Sequence, residues 1–339
     1  MYRASFWGEH YAAGFEFGKA MREKGFFFEE RHLLSDNEQR IAFAKECEKL
    51  IIPIFPQIIE ELHGISDGQG IEYEKISAFI LGMYCFKPEW FCSCIATNAG
   101  GKVVFGRNSD FLIALKNSYG SFFYQPKGGN SFIGNSTAFS QMEDGINCHG
   151  LAVGITSVIP KRVQPGFNTG LLARYILERC ENVEQAIEAV QTLPIATAQT
   201  LTLADKSGRI AVIECCCDAI EVIYPNEGEN FVYAVNDFRG EKTTPNSIYF
   251  GEEQSLFAKK RSEVIEFALK KANGSQNAEY IKEILSGEHG FTCQYDSRSG
   301  FDTVWSSLYE ISGEKVFICE GNPAKCEFED RKELKFSLT

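Results

Sequence analysis

The stretch Phe91 to Phe111, FCSCIATNAGGKVVFGRNSDF, constrains this chain more than any other. Cys92-Ser93-Cys94-Ile95-Ala96-Thr97 reads as a β-strand, Asn98-Ala99-Gly100-Gly101 as a tight turn, and Lys102-Val103-Val104-Phe105-Gly106 as the returning strand. A hairpin of this length brings Arg107, Asn108 and Asp110 back to the level at which the first strand begins. Cys92 and Arg107 are fifteen residues apart, two strand lengths plus a turn, so a guanidinium can stand beside a thiol. A cation there favours thiolate over thiol. Cys94 is the rival nucleophile, on the same face of the strand but with a shorter approach to Arg107.

Composition bounds what surrounds the hairpin. With 339 residues, 44% of them apolar, the chain can bury a large core. A net charge of −12 argues against a nucleic-acid partner, which demands a basic footprint. No segment reaches the roughly 18 to 20 apolar residues of a membrane span, and MYRASFWGEHYAAG lacks the apolar region of a secretory signal, so a cytoplasmic protein is expected. Twelve cysteines, three of them consecutive at Cys215-Cys216-Cys217, read as reduced, packed thiols rather than a disulfide framework. Cys92-x-Cys94 has no accompanying CxxC or HxxxH spacing, and no metal or other cofactor is expected.

Ahead of the hairpin, Gly8 to Met21 leads into a helical pattern. Arg40 to Leu62 carries an apolar stripe interrupted by Pro53 and Pro56, Gly64 to Gly70 breaks it, and Glu74 to Tyr84 is a further short helix. Beyond the hairpin, strands are expected at Ser121–Tyr124, at Ser131–Gly134 and within Met142–Ser157. Two helices follow from Gly170, the second capped by Asn182, and then a hairpin over Gln199–Cys217. Tyr233-Ala234-Val235-Asn236-Asp237-Phe238 ends a strand on an asparagine. After a linker from Gly240 to Ser247, helices are expected over Gln254–Lys271 and Ala278–Leu285, and a closing hairpin pairs Thr303–Tyr309 with Lys315–Cys319.

The passages Cys92-Ser93, Gly101 and Phe105-Gly106-Arg107-Asn108-Ser109-Asp110-Phe111 resemble the mature N-terminus of an N-terminal-nucleophile amidohydrolase of the choloylglycine hydrolase and isopenicillin N acyltransferase group. Four later passages resemble the same superfamily in the same order: Gly145 to Val153, Leu203 to Glu214, Val235 to Phe238, and Thr303 to Pro323. The resemblance implies an α+β fold, a four-layer αββα sandwich of two antiparallel sheets between helical layers. It also implies a division into a helical N-terminal segment, 1–91, and a catalytic domain, 92–339, separated by self-cleavage before Cys92. Cys92 would be the nucleophile and its freed α-amine the base, with a reference pKa of about 7.7 to 8.0 suited to moving a proton at neutral pH. Arg107 and Asp110 would orient amine and thiol, and Asn236 would donate its side-chain amide to the oxyanion. The family's second oxyanion asparagine falls on Thr156 here, leaving a backbone N–H at Thr156 or Ser157 for that task. The residue before the nucleophile, commonly glycine in penicillin-type members, is Phe91.

The expected activity is hydrolysis of a linear, non-peptide acyl amide through an acyl-enzyme. Acyl transfer from a thioester such as acyl-CoA shares that intermediate and stays open beside it. A papain-like hydrolase would require a histidine base, His149 or His289. A scaffold that is never cut and only binds would leave Cys92 inert. The expected partner is a small acyl amide or acyl thioester; the residues neither require nor exclude a homo-oligomer.

Overall fold

The computed structural model describes residues 1–25, 38–86, 91–248, 251 and 257–331. In chain order these hold β1 (Tyr2–Gly8), α1 (His10–Glu23), α2 (Glu38–Ile51), α3 (Pro56–Gln69), α4 (Tyr73–Gly82), β2 (Phe91–Ala99), β3 (Lys102–Leu112), β4 (Gly120–Pro126), β5 (Phe132–Ser136), β6 (Asp144–Asn147) and β7 (Ala152–Ser157). They continue with α5 (Thr169–Arg179), α6 (Val183–Thr192), β8 (Gln199–Ala204), β9 (Ile210–Cys215), β10 (Ile220–Ile223), β11 (Phe231–Ala234), α7 (Ala258–Lys271), α8 (Ala278–Ser286), β12 (Phe301–Glu310), β13 (Lys315–Cys319) and β14 (Glu329–Asp330). The helix start expected at Gln254 lies outside the described residues.

Two sheets stack face to face, one ordered β1-β4-β5-β6-β7-β8-β9-β10 and the other β11-β2-β3-β12-β13-β14. Between them Cys94, Phe105, Ala152, Val212 and Tyr309 form the inner core. Leu171, Leu172 and Ile176 of α5 and the apolar faces of α1 to α4 cover the outside of the first sheet. Ile265, Leu269 and Ile281 of α7 and α8 pack on Ile95, Val104 and Leu308 of the second. The arrangement is the αββα sandwich. Among the described residues no helix is long and apolar enough to cross a membrane.

The β2–β3 hairpin turns on Gly100 and Gly101, with φ of 61° and 84°. Two consecutive positive φ values make the tight turn whose twist matches its strands, and they require glycine at little cost. Asn98 Oδ1 accepts from Gly101 N at 3.0 Å and closes it. The resulting register sets Cys92 opposite Ser109 and Cys94 opposite Arg107.

Two expectations for the N-terminal segment are corrected. The segment is not purely helical: β1 joins the first sheet in parallel with β4, from Tyr2 opposite Gly120 to Gly8 opposite Pro126, so that sheet is not wholly antiparallel. The alternation of Tyr2, Ala4 and Phe6 with Arg3, Ser5 and Trp7 was the available sign. The run from Gly64 does not break the helix either, since α3 continues to Gln69 before Gly70 ends it at a φ of 71°. Gly64 and Gly68 instead meet Gly14 and Gly18 of α1, and a Cβ at Gly64 would collide with Tyr11 O, or at Gly14 with Glu61 O. Glycine serves here to let two backbones touch. Gly64→Ala is expected to destabilise the fold by about 1–3 kcal/mol, because rigid backbone rather than a movable side chain must yield; urea unfolding of the variant beside wild type measures it.

Behind that crossing, Arg174 of α5 binds Glu61 of α3 through two contacts of 3.1 and 2.8 Å and Glu178 at 3.1 Å, and His10 of α1 meets Glu178 at 2.8 Å. All four side chains are buried. Burial acts to raise the Glu178 carboxyl, but His10 and Arg174 hold it below the ordinary range. The ion cluster ties α1 and α3 to the helix that backs the first sheet.

Candidate active site

Cys92 stands second in β2, where the hairpin opens toward the first sheet, and its three polar atoms are each held by a different partner. Arg107 Nη2 contacts its Sγ at 2.7 Å. Its backbone N–H donates to Asn236 Oδ1 at 2.9 Å, and its carbonyl accepts from Arg261 Nη1 at 2.6 Å. Arg107 projects from the strand position opposite Cys94 but reaches diagonally to Cys92. Cys94 Sγ donates instead to Ile155 O at 3.7 Å, and burial pushes that thiol up to about 12. Of the two, Cys92 is the one whose main-chain N–H and C=O are held by side chains.

Arg107 is fully buried and spread over several partners. Its Nε donates to Ile155 O at 3.0 Å, Nη1 to Asp144 Oδ2 at 3.0 Å and Nη2 to Glu143 Oε2 at 3.2 Å. Asp144 further accepts from Trp305 Nε1, Ser307 Oγ, Tyr309 OH and Asn135 Nδ2. Ser109 Oγ and Thr137 Oγ1 donate to Glu143. The guanidinium is thus the cation of an extended hydrogen-bonded network, which is what makes its burial tolerable.

Arg107 pulls the Cys92 thiol toward thiolate, as expected, but burial opposes it. Burial raises the Cys92 thiol far above its usual range, outweighing the downward pull of Arg107, while Glu143 adds to the rise. In molecules still uncut at Phe91–Cys92, iodoacetamide at pH 7 is expected to label Cys92 at least about tenfold more slowly than exposed Cys326, because only the thiolate reacts. The tryptic peptide that still spans the junction reports those molecules.

Asp110 is buried, accepts from Thr303 Oγ1 at 2.6 Å and Tyr295 OH at 2.9 Å, and lies 3.7 Å from Arg261 Nη1. Burial raises its carboxyl above the ordinary value, and Arg261 and the two hydroxyls oppose that rise. Asp110 therefore reaches Cys92 through Arg261 rather than by direct contact.

Asn236 follows β11. Its Oδ1 faces two donors, Cys92 N and Arg261 Nη2 at 2.8 Å, and its Nδ2 donates to Ser157 O at 2.8 Å. Two donors on one side and a carbonyl on the other fix which way the carboxamide points. Thr156 supports that end of the chain, its Oγ1 donating to Val235 O at 2.6 Å and lying 2.8 Å from Thr200 Oγ1. Ile155 N bonds Glu143 O toward β6 and Val158 N bonds Ala198 O toward β8. Strand alternation therefore turns the Thr156 N–H into the β8 ladder. Thr156 meets the site as a brace for Val235-Asn236.

Four residues around the site escaped the sequence. Arg261, buried on α7, also donates from Nη1 to Ser93 Oγ at 2.8 Å. It shares the apolar face of α7 with Ala258, Ile265 and Ala268, and an arginine on such a face was the sign of a buried partner. Glu143 and Asp144 are adjacent acids at the edge of a strand, and nothing local marks them as partners of Arg107. Tyr84 comes from the segment before the hairpin. It is 2% exposed, takes a φ of 66°, and its hydroxyl is raised well above its usual range, by burial first and then by the charges of Glu143 and Cys92. A positive φ at a bulky residue is strained, and strain of this kind concentrates at functional sites. Phe91, the residue before the nucleophile, is buried edge-on to Phe301 at 6.3 Å between ring centres. His149 bonds Asn130 and His289 bonds Glu283, and neither is among the partners of Cys92.

The model of the acyl-coenzyme A:6-aminopenicillanic acid acyl-transferase family matches residues 97–325. The chain belongs to that family. The matched region begins just after Cys92 and contains Arg107, Asp110, Thr156, Asn236 and Arg261. A variant of conjugated bile acid hydrolase from Clostridium perfringens is similar in fold, with a TM-score of 0.52 and 13% identity over 73% of this chain and 94% of that one. Penicillin V acylase from Agrobacterium tumefaciens aligns over 73% of this chain and 88% of its own at 16% identity, with a TM-score of 0.45. A comparison with curated proteins finds no match.

Proposed function

We propose that this acyl-transferase family member is a cysteine-nucleophile amidohydrolase that cleaves a linear acyl amide and is activated by self-cleavage before Cys92. One observation carries this reading: the backbone nitrogen and the thiol of the same residue are both anchored, the nitrogen on Asn236 and the sulfur on Arg107. That is the arrangement needed if the nitrogen is to become the base for its own side chain. In the first step Cys92 Sγ attacks the Phe91 carbonyl, and the peptide bond is exchanged for a thioester. Water then releases the Phe91 carboxylate and leaves an α-amine on Cys92. Asn236 Oδ1 holds that amine as it now holds the peptide N–H.

In the cut enzyme the amine takes the thiol proton, and the sulfur attacks the substrate carbonyl. A hydrogen of Asn236 Nδ2 meets the oxyanion while Arg261 keeps the carboxamide in place. The ammonium returns its proton to the leaving amine, and water resolves the thioester.

The family description favours a second reading in which an acyl-coenzyme A loads Cys92 and an amine, not water, unloads it. Incubating cut protein with N-acyl arylamides, with and without acyl-coenzyme A, separates the two. Hydrolysis predicts arylamine release without coenzyme A and a transient acyl mass on the Cys92 peptide. Release of coenzyme A that requires an added amine acceptor would select transfer. Cut protein that never carries an acyl group on Cys92 from either donor would overturn both.

A further inference from the structure

All twelve cysteines lie among the described residues, and of these Cys326 alone is exposed. Its partner is close at hand. After β13 ends at Cys319, the chain makes one turn in which Lys325 N and Cys326 N both donate to Asn322 O at 2.9 Å. That turn folds Cys326 back over the strand end. Cys319 Sγ donates to Cys326 O at 3.4 Å and to Gly321 O at 3.6 Å, so the two cysteines touch. Gly321 makes room for the approach: its φ is 131°, and a Cβ there would stand 3.0 Å from Cys326 Sγ.

We propose that Cys319 and Cys326 are a dithiol–disulfide site that closes by exchange with a small-molecule disulfide. An exposed and a buried thiol on touching residues divide the work. Cys326, as thiolate, attacks one sulfur of the disulfide and expels the other half as a thiol. Cys319 then gives its proton to solvent and attacks the Cys326 sulfur, expelling the second half. Two protein thiols and one small disulfide thus become one protein disulfide and two small thiols. Burial pushes the Cys319 thiol up to about 12, which makes it a poor first attacker but leaves it able to act second, within contact of its target. The turn is tied to the catalytic end of the sheet. Asn322 Nδ2 donates to Cys293 O at 2.6 Å and also bonds Asp302, whose neighbour Thr303 and nearby Tyr295 hold Asp110.

The test treats the full-length protein with oxidised glutathione and maps its peptides without reduction. Wild type is expected to lose two hydrogens, with Cys319 and Cys326 linked and closed to maleimide. Cys319→Ser is expected to stop at one glutathionyl group on Cys326, and dithiothreitol to reverse both products. Wild type that keeps the glutathionyl group on Cys326, or that bridges a different pair such as Cys293 and Cys319, overturns the proposal. Neither result depends on what Cys92 does.

Discussion

Replacing Cys92 with alanine is expected to leave one uncut chain of 339 residues under conditions in which wild type resolves into fragments of 91 and 248 residues by denatured intact mass. The size of the effect is total, because the nucleophile that begins the exchange at Phe91 is gone and no neighbour replaces it. Cys94 lies on the same strand face, but its sulfur faces Ile155 O and its backbone N–H is not on Asn236. Cys92→Ser should retain slow cleavage, since a hydroxyl can make the same shift but is the weaker nucleophile. A wild-type chain that stays whole would remove self-activation and leave the Cys92 α-amine unavailable as a base. A cut in the Cys92→Ala chain would place the cleavage with some other group.

Arg261 carries the second large expectation. Arg261→Met removes the donors to Cys92 O, Ser93 Oγ and Asn236 Oδ1 at once and leaves Asp110 buried without its nearest cation. Stranding a buried carboxylate typically costs about 3–5 kcal/mol. Loss of a preorganised donor around a reacting carbonyl slows the step by about 10²–10³. Arg261→Lys separates these effects: a single ammonium can keep Asp110 company but cannot span three acceptors. The lysine variant is expected to unfold in urea near wild type while self-cleaving about 10²-fold more slowly. Wild-type cleavage in Arg261→Lys would reduce Arg261 to a structural counter-ion.

Much of the scaffold was legible because its signals are local. Asn182 caps α6, accepting from Gln185 N at 3.0 Å, as its place before an apolar repeat implied. The glycine pair at 100–101 between two alternating runs specified a tight hairpin. The helix through Gly64 and Gly68 was misread because a glycine looks the same whether it breaks a helix or lets a neighbour touch it. Only the opposing Gly14 and Gly18, some fifty residues earlier, distinguish the two.

The same division runs through the site. The chain by itself determined that Arg107 would return to the level of Cys92 and Cys94, because strand period and turn length bring it there, but not which of the two thiols it would reach. It also determined the order of passages in which Asp110 and Asn236 stand. Only the tertiary structure decided that Arg107 is shared with Glu143 and Asp144, that Arg261 reaches in from α7, that Thr156 braces rather than faces the thiol, and that burial raises the thiol. Those outcomes depend on which charges share a buried volume and how much water is excluded from it. Both are properties of sheets and helices packed between residues 36 to 169 apart in sequence, and strand periodicity carries no record of them.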